Sequence, residues 1–192
     1  MEPEGSARSL QLLLVGPAPP LPSGELAARL SRRVAIPCEA ETRLQPAELA
    51  RVPGREQVDA DRLLERIETW PAAPGTLLVG LTSLDLAIPI FTFVFGRARV
   101  GGRAAVVSSA RLDPRFYGLP GDAELAVRRM LLEVLHELGH VAGLRHCDTA
   151  LCLMRFAGSV EQADARGAGF CRRCAQDLPR WLRGTAPPPT FQ

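Results

Sequence analysis

The stretch Asp122–His146, DAELAVRRMLLEVLHELGHVAGLRH, decides how the rest of the chain is read. It begins as a helix should. Asp122 has a short acceptor side chain suited to capping free N–H groups, and Glu124 sits at the positive end of the helix dipole. Gly143 is placed to end it, because glycine accepts the left-handed conformation that closes a helix. Projected at roughly 100° per residue, Val127, Met130, Leu131, Val134, Leu135, Leu138 and Val141 cover one broad side. Leu125 and Leu132 carry the apolar surface round the back, interrupted by Arg128. Arg129, Glu133, His136, Glu137 and His140 share the remaining wedge with the small Ala126. A helix so apolar is expected to be buried, and its polar stripe must meet a partner charge or a cleft.

That stripe holds His136-Glu137-x-x-His140. Two His one turn apart on one face bring both rings to a single metal ion, with Glu137 at the edge of the same face. Gly143 turns the chain and His146 follows, completing H-E-x-x-H-x-x-G-x-x-H. Three imidazoles with an open fourth position form the pattern of a catalytic zinc site, whereas structural sites are closed. The chain has only 3 His, and all lie in this motif.

Working upstream, Ser9–Val15 is predicted as a first strand. Glu2 and Glu4 before it, and the shortness of the apolar run, argue against a signal peptide. Because this strand starts so early, the protein is expected to be made without a pro-segment. Glu25–Ser31 predicts a short helix and Arg33–Cys38 a second strand that Pro37 places at an edge or ends early. Gln45–Gly54 is irregular, Val58–Thr69 an amphipathic helix, and Gly75–Leu81 a buried strand. Residues 91–99 and 103–109 flank the Gly101–Gly102 turn and predict a hairpin. This order implies an α/β fold: a three-layer-like sandwich whose mixed, mostly parallel sheet has one antiparallel edge strand. One domain over 1–192 is expected. It comprises an α/β part (1–145) ending in the long helix, a small C-terminal part (146–185) and a loose tail (186–192).

Downstream, Cys147, Cys152, Cys171 and Cys174 have C-x4-C and C-x2-C spacing. Four thiolates so spaced suit a closed tetrahedral zinc site in the C-terminal part; two disulfides or reduced buried thiols are the alternatives. Cys38 stands alone and is read as a core residue. Met154 fits either a core filler or an apolar floor under the histidines.

The run HELGHVAGLRHCDTALCLM, then FCRRC, with FVFGRARVGGRAAVVSSARL and RFYG upstream, resembles the archaemetzincin family of metzincin-type zinc peptidases. The likeness extends from about Leu77 to Leu178. It implies a catalytic zinc on His136, His140 and His146, Glu137 as general base and Met154 as the Met-turn. It also implies a second, structural zinc on Cys147, Cys152, Cys171 and Cys174, and a peptide or protein substrate. One departure stands out. Some metzincins carry a Tyr two residues after that Met, and this chain has Phe156. Without its hydroxyl, help for a developing oxyanion is expected from the zinc itself, or from Tyr117 or an Arg.

Composition argues against several other roles. A net charge of +2, supplied by Arg alone among the basic residues, is too balanced for a nucleic-acid binder. No stretch reaches the roughly 20 apolar residues of a membrane span. A cytoplasmic monomer is expected. One rival reading is a zinc-binding protein of the same fold with little hydrolytic activity and a peptide-binding role. Another is a nucleic-acid module using the four-thiolate zinc, for which Phe156, Phe170 and Trp181 are too few aromatics to make a stacking platform.

Overall fold

A computed structural model describes residues 9–16, 23–44, 49 and 51–183. In chain order the elements are β1 (Ser9–Val15), α1 (Ser23–Ser31), β2 (Cys38–Leu44), β3 (Val58–Asp59), α2 (Ala60–Glu68), β4 (Thr76–Thr82), β5 (Leu86–Ile88), β6 (Phe91–Val94), β7 (Gly96–Ala98), β8 (Ala104–Ser108), a 3-10 turn (Pro114–Tyr117), α3 (Ala123–Val141), α4 (Val160–Asp164), α5 (Arg172–Asp177) and α6 (Arg180–Arg183).

The main sheet has the order β2-β1-β4-β8-β7. All its pairings are parallel except the last, where β7 runs antiparallel to β8. Successive strand residues point to opposite faces, and the sequence makes both faces apolar. Leu10, Leu12, Leu14, Val79, Leu81, Ala105 and Val107 pack towards α1 and α3. Leu13, Val15, Leu78 and Val106 pack towards α2. The result is the expected three-layer sandwich with one antiparallel edge. Among the described residues no helix is long and apolar enough to cross a membrane.

Several local expectations shift for identifiable reasons. Residues 33–36 are not a strand, because the Arg33 and Val34 N–H groups both donate to Leu30 O and close α1. β2 starts only after Pro37, whose carbonyl accepts from Leu10 N at 2.8 Å. Val58 and Asp59 pair with β5 instead of starting the helix, and Asp59 then caps α2 by accepting from Asp61 N and Arg62 N. The expected hairpin is shorter than 91–99: only Gly96–Ala98 pairs with β8. Phe91–Val94 turns away to pair with β5 in a second, three-stranded sheet of order β3-β5-β6. The tail 186–192 and part of the 45–54 stretch lie outside the described residues. Cys38 is half-buried against the core, as expected.

α3 follows the sequence closely. The Asp122 carboxylate accepts from Leu125 N at 2.9 Å, and Gly143 has φ of 96°. Its end is tied to the sheet by a bond from Gly101 N to His140 O of 3.0 Å, so the β7–β8 turn and the motif helix are held as one piece.

Candidate metal centre

The polar stripe of α3 opens into a cleft of about 630 Å³. Its wall is the 91–98 run of β6 and β7, and its other side is the segment around His146 and Phe156. Within it, one ligand atom from each of His136, His140 and His146 lies within 4.8 Å of the others. The ring centroids are 4.8, 5.4 and 4.9 Å apart.

The backbone sets how these rings present themselves. Leu153 O lies 2.7 Å from His136 Nδ1, and Leu144 O lies 2.8 Å from His140 Nδ1. A carbonyl can only accept, so His140 Nδ1 carries the proton and donates it, leaving Nε2 as a free lone pair. At His136 the Leu153 carbonyl favours the same tautomer, while the Arg166 guanidinium, a pure donor, lies 2.9 Å from the same Nδ1. This is how metal-ligating histidines are usually oriented. All three imidazoles are held below their ordinary basicity, chiefly by burial. For His136 the Arg166 guanidinium adds to this. Neutral rings are what a cation requires.

Glu137 is 4% exposed and lies on the cleft floor. Burial, then the neighbouring Glu133 carboxylate, push its carboxyl well above the usual range. Its position is set by the absence of a side chain opposite. A Cβ on Gly96 would stand 2.7 Å from Glu137 Oε1 and 2.8 Å from its Cγ. Gly96→Ala should therefore displace this carboxylate. We expect catalytic efficiency to fall by up to roughly 10²-fold, the cost of about 1 Å of misplacement, with metal content unchanged by elemental analysis. Met154 is fully buried, and its Sδ would be 2.4 Å from a Cβ on Gly139, so it packs against α3 at the glycine next to His140.

Behind the rings lies a pair that the motif does not contain. Arg166, on the loop after α4, donates through Nη2 to Glu133 Oε2 at 2.5 Å, and its Nη1 packs 2.9 Å from His136 Nδ1. The two side chains are 4% and 5% exposed. Glu133 belongs to the predicted polar stripe, which signalled the need for a partner. Arg166 had no such signal.

The four cysteines converge as their spacing suggested. Cys147, Cys152, Cys171 and Cys174 are all buried, with their sulfurs within 4.8 Å of one another. The Cys147 and Cys171 sulfurs are 3.8 Å apart. That is not a disulfide, and it matches the roughly 3.8 Å edge of a tetrahedron with 2.3 Å zinc–sulfur bonds. Burial opposes ionisation of Cys171, yet hydrogen bonds from the Cys174 backbone and the Cys152 side chain bring it down to about 6. Tyr117 takes no part in either cluster, and its hydroxyl donates to Arg111 O at 3.0 Å.

The model of peptidase family M54 matches residues 39–180. This chain belongs to peptidase family M54. The archaemetzincin of Methanopyrus kandleri is 48% identical to it over 107 residues, 55% of this chain and 57% of that protein. The archaemetzincin of Thermococcus kodakarensis is 46% identical over 104 residues, 54% of this chain and 56% of that protein. The matched stretch thus spans little more than half of these relatives. The crystal structure of the Methanopyrus kandleri archaemetzincin is 34% identical and has a TM-score of 0.75, covering 95% of this chain and 99% of that one. The archaemetzincin structure from Archaeoglobus fulgidus, complexed with malonate, is 28% identical with a TM-score of 0.75, covering 88% of this chain and 99% of that one. The M54 fold therefore extends across the described residues, and the resemblance seen in the motifs is a family relationship.

Proposed function

We propose that this M54 protein is a zinc-dependent metallopeptidase. In this reading His136, His140 and His146 hold a catalytic zinc, and Glu137 is the general base. Cys147, Cys152, Cys171 and Cys174 hold a second, structural zinc, and Met154 is the floor beneath the first. The observation that carries the proposal is the convergence of three imidazoles beside the Glu137 side chain at the bottom of an open cleft. The donor sets fit the ions: three nitrogens leave a position for substrate, and four thiolates do not.

When bound, a zinc ion there supplies a Lewis acid that acidifies water towards pKa ~7 and polarises a carbonyl. The protein's own groups do the rest. Glu137 accepts the proton of the attacking water and passes it to the departing amine nitrogen. An extended peptide adds as a strand along the 91–98 run, which lies at the edges of both sheets and lines the cleft. The substrate is a peptide or protein, and a monomer suffices because every proposed site residue comes from one chain.

A second reading, a zinc-dependent peptide binder with weak hydrolysis, draws on Phe156. No hydroxyl replaces the Tyr of other metzincins, and the Tyr117 hydroxyl is engaged elsewhere. Metal analysis and peptide digestion separate the two. Purified protein should carry two zinc ions, of which mild chelation removes the histidine-bound one first. Cleavage of a peptide mixture should stop with that loss and return on adding zinc. A protein with two zinc ions that cleaves nothing is the binder.

A further inference from the structure

The mechanism leaves unused the two aromatic rings at the mouth of the cleft. Phe91 and Phe156 are 44% and 51% exposed, although each lines the cleft. Phe91 comes from β6 on one wall, and Phe156 from the segment that follows Met154 on the other. Their rings approach across the opening, with centroids 6.2 Å apart and planes tilted by 34°. Phe156 also sits edge-on to His146, with centroids 5.3 Å apart.

We propose that Phe91 and Phe156 form an aromatic subsite that selects peptides with an aromatic side chain beside the scissile bond. This rests on the peptidase reading and names the substrate class for it. Single exposed apolar residues need no explanation. Two contacting rings on opposite walls of a concave site, one of them against a metal-ligand candidate, present a joint surface. Ile88, Phe93 and Ala157 add further apolar lining to the same cleft.

Position fixes which substrate residue it meets. Consecutive Cα atoms are about 3.8 Å apart, so a side chain resting on Phe156 belongs to a residue at or next to the carbonyl held near His146. Ring chemistry fixes the kind of side chain. Aromatic pairs with centroids about 4.5–7 Å apart gain attraction beyond their buried area, and Phe91 and Phe156 offer a face and an edge to a third ring. An aliphatic side chain of equal volume gains only the area term.

The test is a set of peptides identical except for Phe, Leu, Ala or Asp on either side of one bond, with products identified by mass spectrometry. The wild-type protein should cleave the Phe peptide roughly tenfold more efficiently than the Ala peptide, within the range for one well-filled apolar subsite. In Phe156→Ala and Phe91→Ala that ratio should collapse towards one. Phe156→Leu, which keeps bulk without the ring, should fall between. Zinc content should match wild type in all three. A wild-type ratio near one, or a ratio that survives both alanine substitutions, overturns the subsite.

Binding is read separately in the Glu137→Gln protein by calorimetry with the same peptides. If the wild-type protein cleaves no peptide but the Glu137→Gln protein still binds Phe about tenfold more tightly than Ala, and adding Phe156→Ala abolishes the difference, the hydrolase reading fails and the subsite stands. Cleavage without any aromatic preference has the opposite meaning.

Discussion

Glu137→Gln is expected to leave both zinc ions in place and to reduce peptide hydrolysis by about 10²–10⁴-fold, the range for loss of a positioned general base. The substitution preserves volume where volume matters, because the side chain packs against Gly96. It removes one ability only: an amide nitrogen or oxygen in that place cannot take up the proton of the attacking water. The histidine ligands should be unaffected, since His136 and His140 are oriented by backbone carbonyls and not by this carboxylate. Stability should not suffer either. The carboxyl is buried beside Glu133, a setting that disfavours its charged form, and a neutral amide is the easier group to bury. The measurements are zinc content, thermal unfolding and digestion of a peptide mixture. A variant that cleaves at the wild-type rate removes Glu137 from the mechanism. One that loses zinc makes it a ligand instead.

The parts of this protein legible in its sequence were those encoded locally. α3 has a periodic apolar face, an acid at its start and a glycine at its stop, all within some twenty residues, and its bounds emerged almost as read. The histidine and cysteine sets were legible because ligand chemistry restricts spacing and residue type. The small sheet was not. β3, β5 and β6 have two, three and four residues, too few for a period to declare itself, and their pairing is decided by distant contacts. The run 91–98 looked like one strand because nothing in its composition marks the point where it leaves one sheet for the other. Pro37 bars a ladder donor at 37, and the chain uses it as the last residue before β2, which lies at the edge of the sheet as the proline implies.

Arg166 is the site residue that no local rule could reveal. It lies 33 residues beyond Glu133, on a loop with no periodicity, yet the two form a buried ion pair, and its other nitrogen lies 2.9 Å from His136 Nδ1. Arg166→Met should therefore be among the most damaging substitutions in the chain. It leaves the Glu133 carboxylate buried without its cation, at a cost of about 3–5 kcal/mol. For a chain of this length, the melting temperature should drop by roughly 10 °C or more. The cost should come from the orphaned charge and not from the lost packing. The pair Arg166→Met with Glu133→Met should then recover most of the stability, because replacing both members of a buried ion pair by apolar groups is often neutral or better. Scanning calorimetry of the two variants decides it. Equal losses in the single and double variants would mean that Arg166 serves through packing, or through its contact with His136. Recovery in the double variant would show that the pair is an electrostatic unit, in which Arg166 keeps Glu133 neutralised one turn from Glu137. That arrangement explains how α3 carries both Glu133 and Glu137 into a buried site: one is matched by a guanidinium, and the other is left free to exchange a proton.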